Sequence, residues 1–278
     1  MLNKQVIPKS DKARKQTVPE RLGFRFYGGG VHTARTIMLQ DLSAVLSYIS
    51  NPKAQKSDYQ QAIIQDNCLG KRSGRTRAIT FNHLASLYGL DPGVTIFRTM
   101  LHFWEHDTTG RPLLAMMCAS CRDPLLMLSA KLVLKTPLGT SLKRESLEEF
   151  IEEIDQDKFS RATLKSAAQN LGSSWTKSGH LKGRANKIRI RAEATPGSVS
   201  YALLLGFING LRGQSLFESE YYRLLDCPAE QGMELARDSS RRGWIVFKNI
   251  GDVVEVQFPG LLTPTEITWL NEQNQATY

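Results

Sequence analysis

The stretch FSRATLKSAAQNLGSSWTKSGHLKGRANKIRIR, residues 159–191, decides the fold. Ser160 stands where a helix would begin, and a serine there accepts hydrogen bonds from the first free backbone N–H groups. The helix is predicted to run to Leu171, with Gly172 turning the chain and SSWTKSG starting a second, short helix. KIRIR, residues 187–191, then alternates charged and apolar with period two, the pattern of a half-buried strand. On this reading Ile188 and Ile190 face a core, while Lys187, Arg189 and Arg191 line the other side about 6.6 Å apart. Lys182 and Arg184 extend the same cationic wing. A wing beside a helix-turn-helix can track a phosphate strand. Ser173, Ser174 and Lys177 head the second helix, where small polar side chains could approach a groove.

Downstream, residues 198–211, 215–225 and 228–241 read as further helices. WIVF (244–247) and VVEVQF (253–258) flank the turn Asn249-Ile250-Gly251-Asp252. Helix, helix, hairpin is again a winged-helix order. Its strands are apolar, however, and Asp252 and Glu255 oppose phosphate. Arg241 and Arg242 are the only evident contacts there, so this unit can also be read as a packing or partner surface.

Upstream, Ile37, Leu42, Val45, Leu46 and Ile49 form a helical stripe, broken at Asn51-Pro52 after the glycine triplet 28–30. A short helix is expected over 59–68. Lys71, Arg72, Arg75 and Arg77 then crowd the start of a helix that Ser73 caps and Gly89 ends, with Ala78, Ile79, Phe81, Leu84, Leu87 and Tyr88 on its buried side. Cations there are each opposed by about 0.3–1 kcal/mol by the helix dipole. A bound phosphate reverses that sign, which explains their position. Helices follow over 112–121 and from Asp123-Pro124, where a capping residue precedes a proline at the first helical position. Ser146-x-x-Glu149 is a capping-box pattern opening an acidic helix with Leu147, Phe150, Ile151 and Ile154 facing inward.

The expected architecture is mainly α and two-lobed, with helix-turn-helix and winged-helix elements and short β-hairpins in the C-terminal half. Residues 1–25 form a basic arm, 26–158 an N-terminal helical domain and 159–278 a C-terminal helical domain with winged-helix-like hairpins.

The 278 residues carry 36 Lys and Arg against 27 Asp and Glu, a net charge of +9. The clustering says more than the total. Residues 1–25 hold seven cations, Lys12, Arg14 and Lys15 among them, against two acids, and 182–191 hold five cations and no acid. Residues 145–157 hold seven acids and no cation. Clustered positive charge favours a polyanion, and double-stranded DNA is the leading partner. Apolar runs are too short for a bilayer span, there is no secretory leader pattern, and four cysteines imply reduced thiols, so a cytoplasmic, non-membrane protein is expected.

No enzymatic signature competes. LGKRSG has Gln65 and Arg72 where a phosphate loop needs Gly and Ser or Thr. A dinucleotide fingerprint would need glycine at Thr33. His102 and His106, one helical turn apart, could join Cys118 and Cys121 as a zinc site. Those cysteines lie in the apolar run LLAMMCASC, where thiols are ordinary core residues. No metal, cofactor or catalysis is therefore expected. The other candidate reading is a helical adaptor whose basic patches meet an acidic protein; a His/Cys metal enzyme ranks third.

FYGGGVHTARTIMLQDLSAVLSYI (26–49), DNCLGKRSGRTRAITFNHLASLYGL (66–90), LLAMMCASCRDPLLML (113–128) and LKSAAQNLGSSWTKSGHLKG (164–183) together resemble BrxA. This is the small-protein family of BREX bacteriophage-exclusion systems. KRSGRTR, residues 71–77, is the most specific piece. The resemblance implies a helical protein with a NusB-like part. It also implies DNA binding and partnership with other BREX components, since the family is encoded beside a DNA methyltransferase and an AAA+ ATPase.

Overall fold

A computed structural model describes residues 16–27, 30–51, 53–154, 159–251 and 253–275. The N-terminal part is helical: α1 (Val18–Arg21), α2 (Leu39–Tyr48), α3 (Lys56–Gln60, running on into a π-helical turn Gln61–Gln65), α4 (Gly74–Tyr88), α5 (Thr95–His106), α6 (Arg111–Ser120) and α7 (Pro124–Lys135). The starts follow local chemistry. Ser73 accepts from the Thr76 N–H at 3.2 Å, and Asp123 accepts from the Leu126 N–H at 3.1 Å, with Pro124 first in its helix. Gly89, at φ +92, closes α4 in a conformation that side chains resist. One feature departs from expectation. Ile79 turns outward, 36% exposed, because Phe81, Leu84, Leu87 and Tyr88 claim the inner stripe. Helix α5, which no part of the sequence reading assigned, lies deep in the protein with eight of its side chains buried.

The next elements are β1 (Ser141–Leu142), α8 (Arg144–Ile154), α9 (Arg161–Lys177), β2 (Leu181–Lys182) and β3 (Lys187–Arg189). The strands form one antiparallel sheet in the order β1-β3-β2, with Ser141 opposite Ile188 and Leu181 opposite Arg189. Leu126, Ala130 and Val133 of α7, Leu147 and Ile151 of α8, and Leu164, Ala167, Leu171 and Trp175 of α9 are its buried side chains. The Trp175 indole donates to Ser129 Oγ at 2.8 Å. Helix, strand, helix, helix and a two-stranded wing is the winged-helix topology, with α9 in the recognition-helix position.

Three local expectations change here. Gly172 does not turn the chain. Helix α9 continues through it, from Arg161 to Lys177. Glycine brings α9 close to the wing there, since a Cβ would sit 3.0 Å from Lys187 Cδ and Cε of the wing strand. Helix α8 starts at Arg144, so Ser146 lies inside it and caps nothing. The face of β3 is reversed: Arg189 is buried and Ile188 and Ile190 are half-buried. The cause is electrostatic. Arg189 pairs with Asp226 at 2.8 Å and donates to the carbonyls of Val133 (3.0 Å) and His180 (3.2 Å), so an inward guanidinium is satisfied.

The C-terminal elements are α10 (Pro196–Ile208), a 3-10 turn Gly213–Glu218, α11 (Glu220–Arg223), α12 (Ala229–Arg241), the hairpin β4 (Val246–Ile250) and β5 (Val253–Gln257), and α13 (Pro264–Gln275). The winged order recurs, with the 3-10 turn packing on β5 where β1 stood in the first unit. In the hairpin, Phe247, Val254 and Val256 turn inward while Lys248 and Glu255 pair outside at 3.6 Å. Gly251, at φ +58, supplies the tight link. Helix α10 is apolar nearly all round and is correspondingly interior, packing on α5, α6, α11 and α12. One contiguous core therefore runs from Leu22 to Leu270, across the boundary at residue 158. Helix α13 returns to the start of the chain. Its Glu266 binds Arg98 through both carboxylate oxygens (2.7 and 2.9 Å), and Arg21 lies over the Trp269 ring at 5.6 Å. No helix among the described residues is long and apolar enough to cross a membrane.

Candidate nucleic-acid interface

Helix α9 buries Leu164, Ala167, Ala168 and Leu171, and this leaves Arg161, Ala162, Lys165, Ser166 and Gln169 on the opposite, exposed side. Ser160 caps the helix through the Thr163 N–H at 3.3 Å. The wing follows at an angle set by Gly183 (φ +100), where a Cβ would fall 2.1 Å from the Asn186 carbonyl oxygen. Lys182, Arg184, Ala185 and Asn186 are exposed along it. Between helix and wing lies a cleft of about 690 Å³ that Gln169, Ser173, Arg184, Lys187 and Arg144 help to line. Residues 159–192 contain eight Lys or Arg and no Asp or Glu. Arg161, Lys165, Lys182 and Arg184 make no ion pair among the described residues. An exposed polar helix face and a cationic loop are thus presented together, while Arg144 in the cleft between them is neutralised by Glu145 and Glu148, each at 2.7 Å.

The sequence-derived contact residues fall into separate groups. Lys182, Arg184 and Arg191 are exposed as expected, and Ser173 borders the cleft. Lys187 is half-buried and donates to Thr176 Oγ1 at 3.0 Å, and Lys177 donates to Thr36 Oγ1 at 2.7 Å. Burial pulls both ammonium groups below their ordinary pKa. Arg189, as described, faces the core and cannot meet a ligand. Ser174 is also fully buried, a correction explained below. In the other cluster Lys71 is tied to Asp41 at 2.7 Å. Arg77 turns back to the Ile64 carbonyl at 2.7 Å, closing the end of the π-helical turn. Arg72 and Arg75 remain exposed at the start of α4. Arg241 and Arg242 share Asp238 at 3.3 and 3.0 Å, and Arg242 lies over Trp244, so their charge is partly spent within α12 and its end. Lys12, Arg14 and Lys15 lie outside the described residues. Arg161, Lys165 and Gln169 were missed by sequence reasoning. Their signal was present: a capped start with cations at 161 and 165, four apart and so on one helix face.

Ser174 belongs to a buried network. His32 Nδ1 and backbone N–H bind Asp123 Oδ2 at 2.8 and 3.1 Å, and His32 Nε2 meets Ser174 Oγ at 2.8 Å. Ser174 Oγ also accepts from the Ile37 N–H at 3.0 Å and donates to the Asn170 carbonyl at 2.9 Å. Carboxylate, imidazole and hydroxyl stand in the order of a hydrolase triad, but the hydroxyl is enclosed and fully engaged, so no substrate reaches it. The network instead clamps three segments: the loop after the glycine triplet, the capping residue of α7 and the body of α9. Burial pushes the Asp123 carboxyl up, but the His32 ring and the backbone N–H groups of Leu126 and His32 outweigh it and hold the group below its ordinary pKa.

The possible zinc ligands are not brought together. Cys118 and Cys121 are buried, the first with its thiol pushed up to about 12 by burial, while the His106 ring bonds the His102 carbonyl at 2.6 Å. Among the described residues no group of three or more His, Cys, Asp or Glu is arranged to hold a metal.

No protein-family model matches this chain, and no curated protein does.

A pH dependence follows from the groups behind the wing. His180 is buried between Ser178 Oγ (2.8 Å) and the Leu224 carbonyl (2.9 Å), and burial, only partly offset by Asp226, brings it down to about 4. Its folded pKa lies below the ordinary value near 6.5. The unfolded chain therefore takes the proton first, and stability falls as pH drops from about 6.5 towards 4. Asp123, also lowered, adds loss at the acid end of that range. Melting temperature measured from pH 7.5 to 4.5 should fall steadily, and the fall should be shallower in His180→Gln. An identical slope in the variant would refute the assignment.

Proposed function

We propose that the protein is a non-enzymatic, double-stranded DNA-binding accessory protein. In it the first winged-helix unit holds the duplex, with α9 in the major groove and Lys182 and Arg184 on the adjacent phosphates. The observation that carries this reading is the joint presentation of the exposed α9 face and the unpaired cationic wing, free of acids over 34 consecutive residues (159 to 192). Phosphate contacts supply most of such affinity and make it salt-dependent. Arg72 and Arg75 form a second, smaller phosphate contact. The resemblance to BrxA supports placing the protein in a BREX-type phage-defence system, in the cytoplasm, where other components of that system would be its partners.

Titration of labelled duplexes over a series of salt concentrations tests the reading. Binding should be strong at low salt and fall linearly in log–log form. Replacing Arg72 and Arg75 together by glutamine should flatten the slope by up to about 0.9 for each lost contact and leave stability unchanged. Arg77→Gln separates contact from structure: it should cost about 1 kcal/mol of stability through the lost bond to Ile64 and leave the slope alone. Absence of duplex binding at about 50 mM salt, where such contacts are strongest, would remove the proposal.

The surface of the second winged unit favours packing or a protein partner over phosphate contact. Ile250 and Val253 at the hairpin tip are 79% and 71% exposed, and α12 presents Glu230 and Glu234 in place of free cations.

A further inference from the structure

We propose that the cavity between the α1 loop and the end of α6 binds a nucleoside phosphate, with its phosphoryl group on Arg25 and Arg122 and its base on Phe26. The cavity measures about 490 Å³, within the range of small-ligand sites, and Arg21, Arg25, Arg122, Phe26, Tyr27 and Glu20 are among its lining residues. It is separate from the α9 and wing surface and owes nothing to a phosphate-loop motif.

Arg122 is the centre of the site. It is only 8% exposed, and its Nε and Nη1 donate to the carbonyls of Ser86 (2.8 Å) and Gly23 (2.5 Å). No carboxylate pairs with it among the described residues. Arg25 stands beside it, with one side-chain bond, to Ser86 Oγ at 3.2 Å. Burial first, and the Arg25 charge second, bring the Arg122 guanidinium down to about 10. Carbonyls in the last turn of α4 offset part of this positive charge. Two adjacent guanidiniums that form no ion pair among the described residues, on one wall of a cavity, still ask for an anion, and their planar forks suit the paired oxygens of a phosphoryl group. Glu20 is the one carboxylate on the lining. Its Oε2 accepts from Thr17 N (2.7 Å) and Thr17 Oγ1 (2.8 Å) in the cap of α1.

The ring partner is equally specific. Phe26 stacks on Phe24 at 5.8 Å with 22° between the planes, and Phe24 is buried against the edge of Tyr221. One face of Phe26 is thus backed by fixed protein while the residue stays 36% exposed. An aromatic platform beside paired arginines selects a flat base carrying phosphate. Free nucleotide and the terminal nucleotide of a single strand share that chemistry.

Calorimetric titration of the full chain with AMP, inorganic phosphate and a short 5′-phosphorylated single strand tests the site. AMP should bind with a dissociation constant below about 1 mM. Arg25→Gln should weaken AMP and phosphate by about tenfold or more, the scale of one charged contact. Phe26→Ala should weaken AMP and leave phosphate unchanged. Both side chains are exposed, so neither change threatens the fold. AMP binding without strand binding identifies the free nucleotide as ligand, and tighter, Arg25-dependent binding of the strand identifies the strand end. Absence of saturable AMP binding overturns the proposal. So does AMP binding that survives Arg25→Gln but disappears in Arg184→Gln, which would place the nucleotide on the wing.

Discussion

His32→Ala should lower the stability of the whole protein by about 3–5 kcal/mol, the cost of leaving the buried Asp123 carboxylate without its ring partner. The melting temperature should fall by roughly 10 °C for a chain of this size. The loss exceeds that of an ordinary cavity because two polar groups are stranded together. Asp123 loses the ring that holds its carboxyl ionised in the interior, and Ser174 loses its bond to Nε2. Asp123→Asn is the milder control, since an amide oxygen can still cap α7. Duplex affinity in His32→Ala should fall too, because the clamp fixes α9 within the protein. A variant with unchanged melting temperature would show that the network contributes nothing.

The second large effect is on binding. Reversing Lys165, Lys182 and Arg184 together to glutamate should reduce duplex affinity at low salt by about a hundredfold or more and flatten the log–log salt slope by about 2.7, or 0.9 for each phosphate lost. All three side chains are exposed and make no ion pair among the described residues, so the melting temperature should stay within about 2 °C, as for surface substitutions generally. Affinity unchanged in this variant would move the DNA surface elsewhere, towards Arg72 and Arg75 or the N-terminal arm.

What the sequence made legible was whatever short-range chemistry decides. The caps at Ser73, Asp123 and Ser160, the proline at the head of α7 and the apolar strands of the second hairpin each depend on neighbours within a few positions, and each is where it was expected. Gly172 misled because glycine serves two ends, freeing the backbone or making room. Room for Lys187, fifteen residues on, was what mattered. Arg189 misled for a related reason. Period two predicts a face, but the charge that settles the face is Asp226, on a distant turn. Strand β1 is two residues long, too short to leave a pattern. At the candidate interface the exposure of the wing cations Lys182 and Arg184 was legible. The exposed face of α9 was not, because a turn at Gly172 would divide a helix that in fact runs unbroken from Arg161 to Lys177.

The clamp at His32 also bears on how the protein is made. Its imidazole leaves the ribosome 91 residues before Asp123 and 142 residues before Ser174. At ordinary elongation rates the last partner arrives on the order of ten seconds later. Through that interval the nascent N-terminal half holds His32 and Asp123 without the Ser174 hydroxyl that the ring meets in the finished fold. Completion of the network therefore waits on α9, and a chain that ends before residue 174 lacks one of its three members.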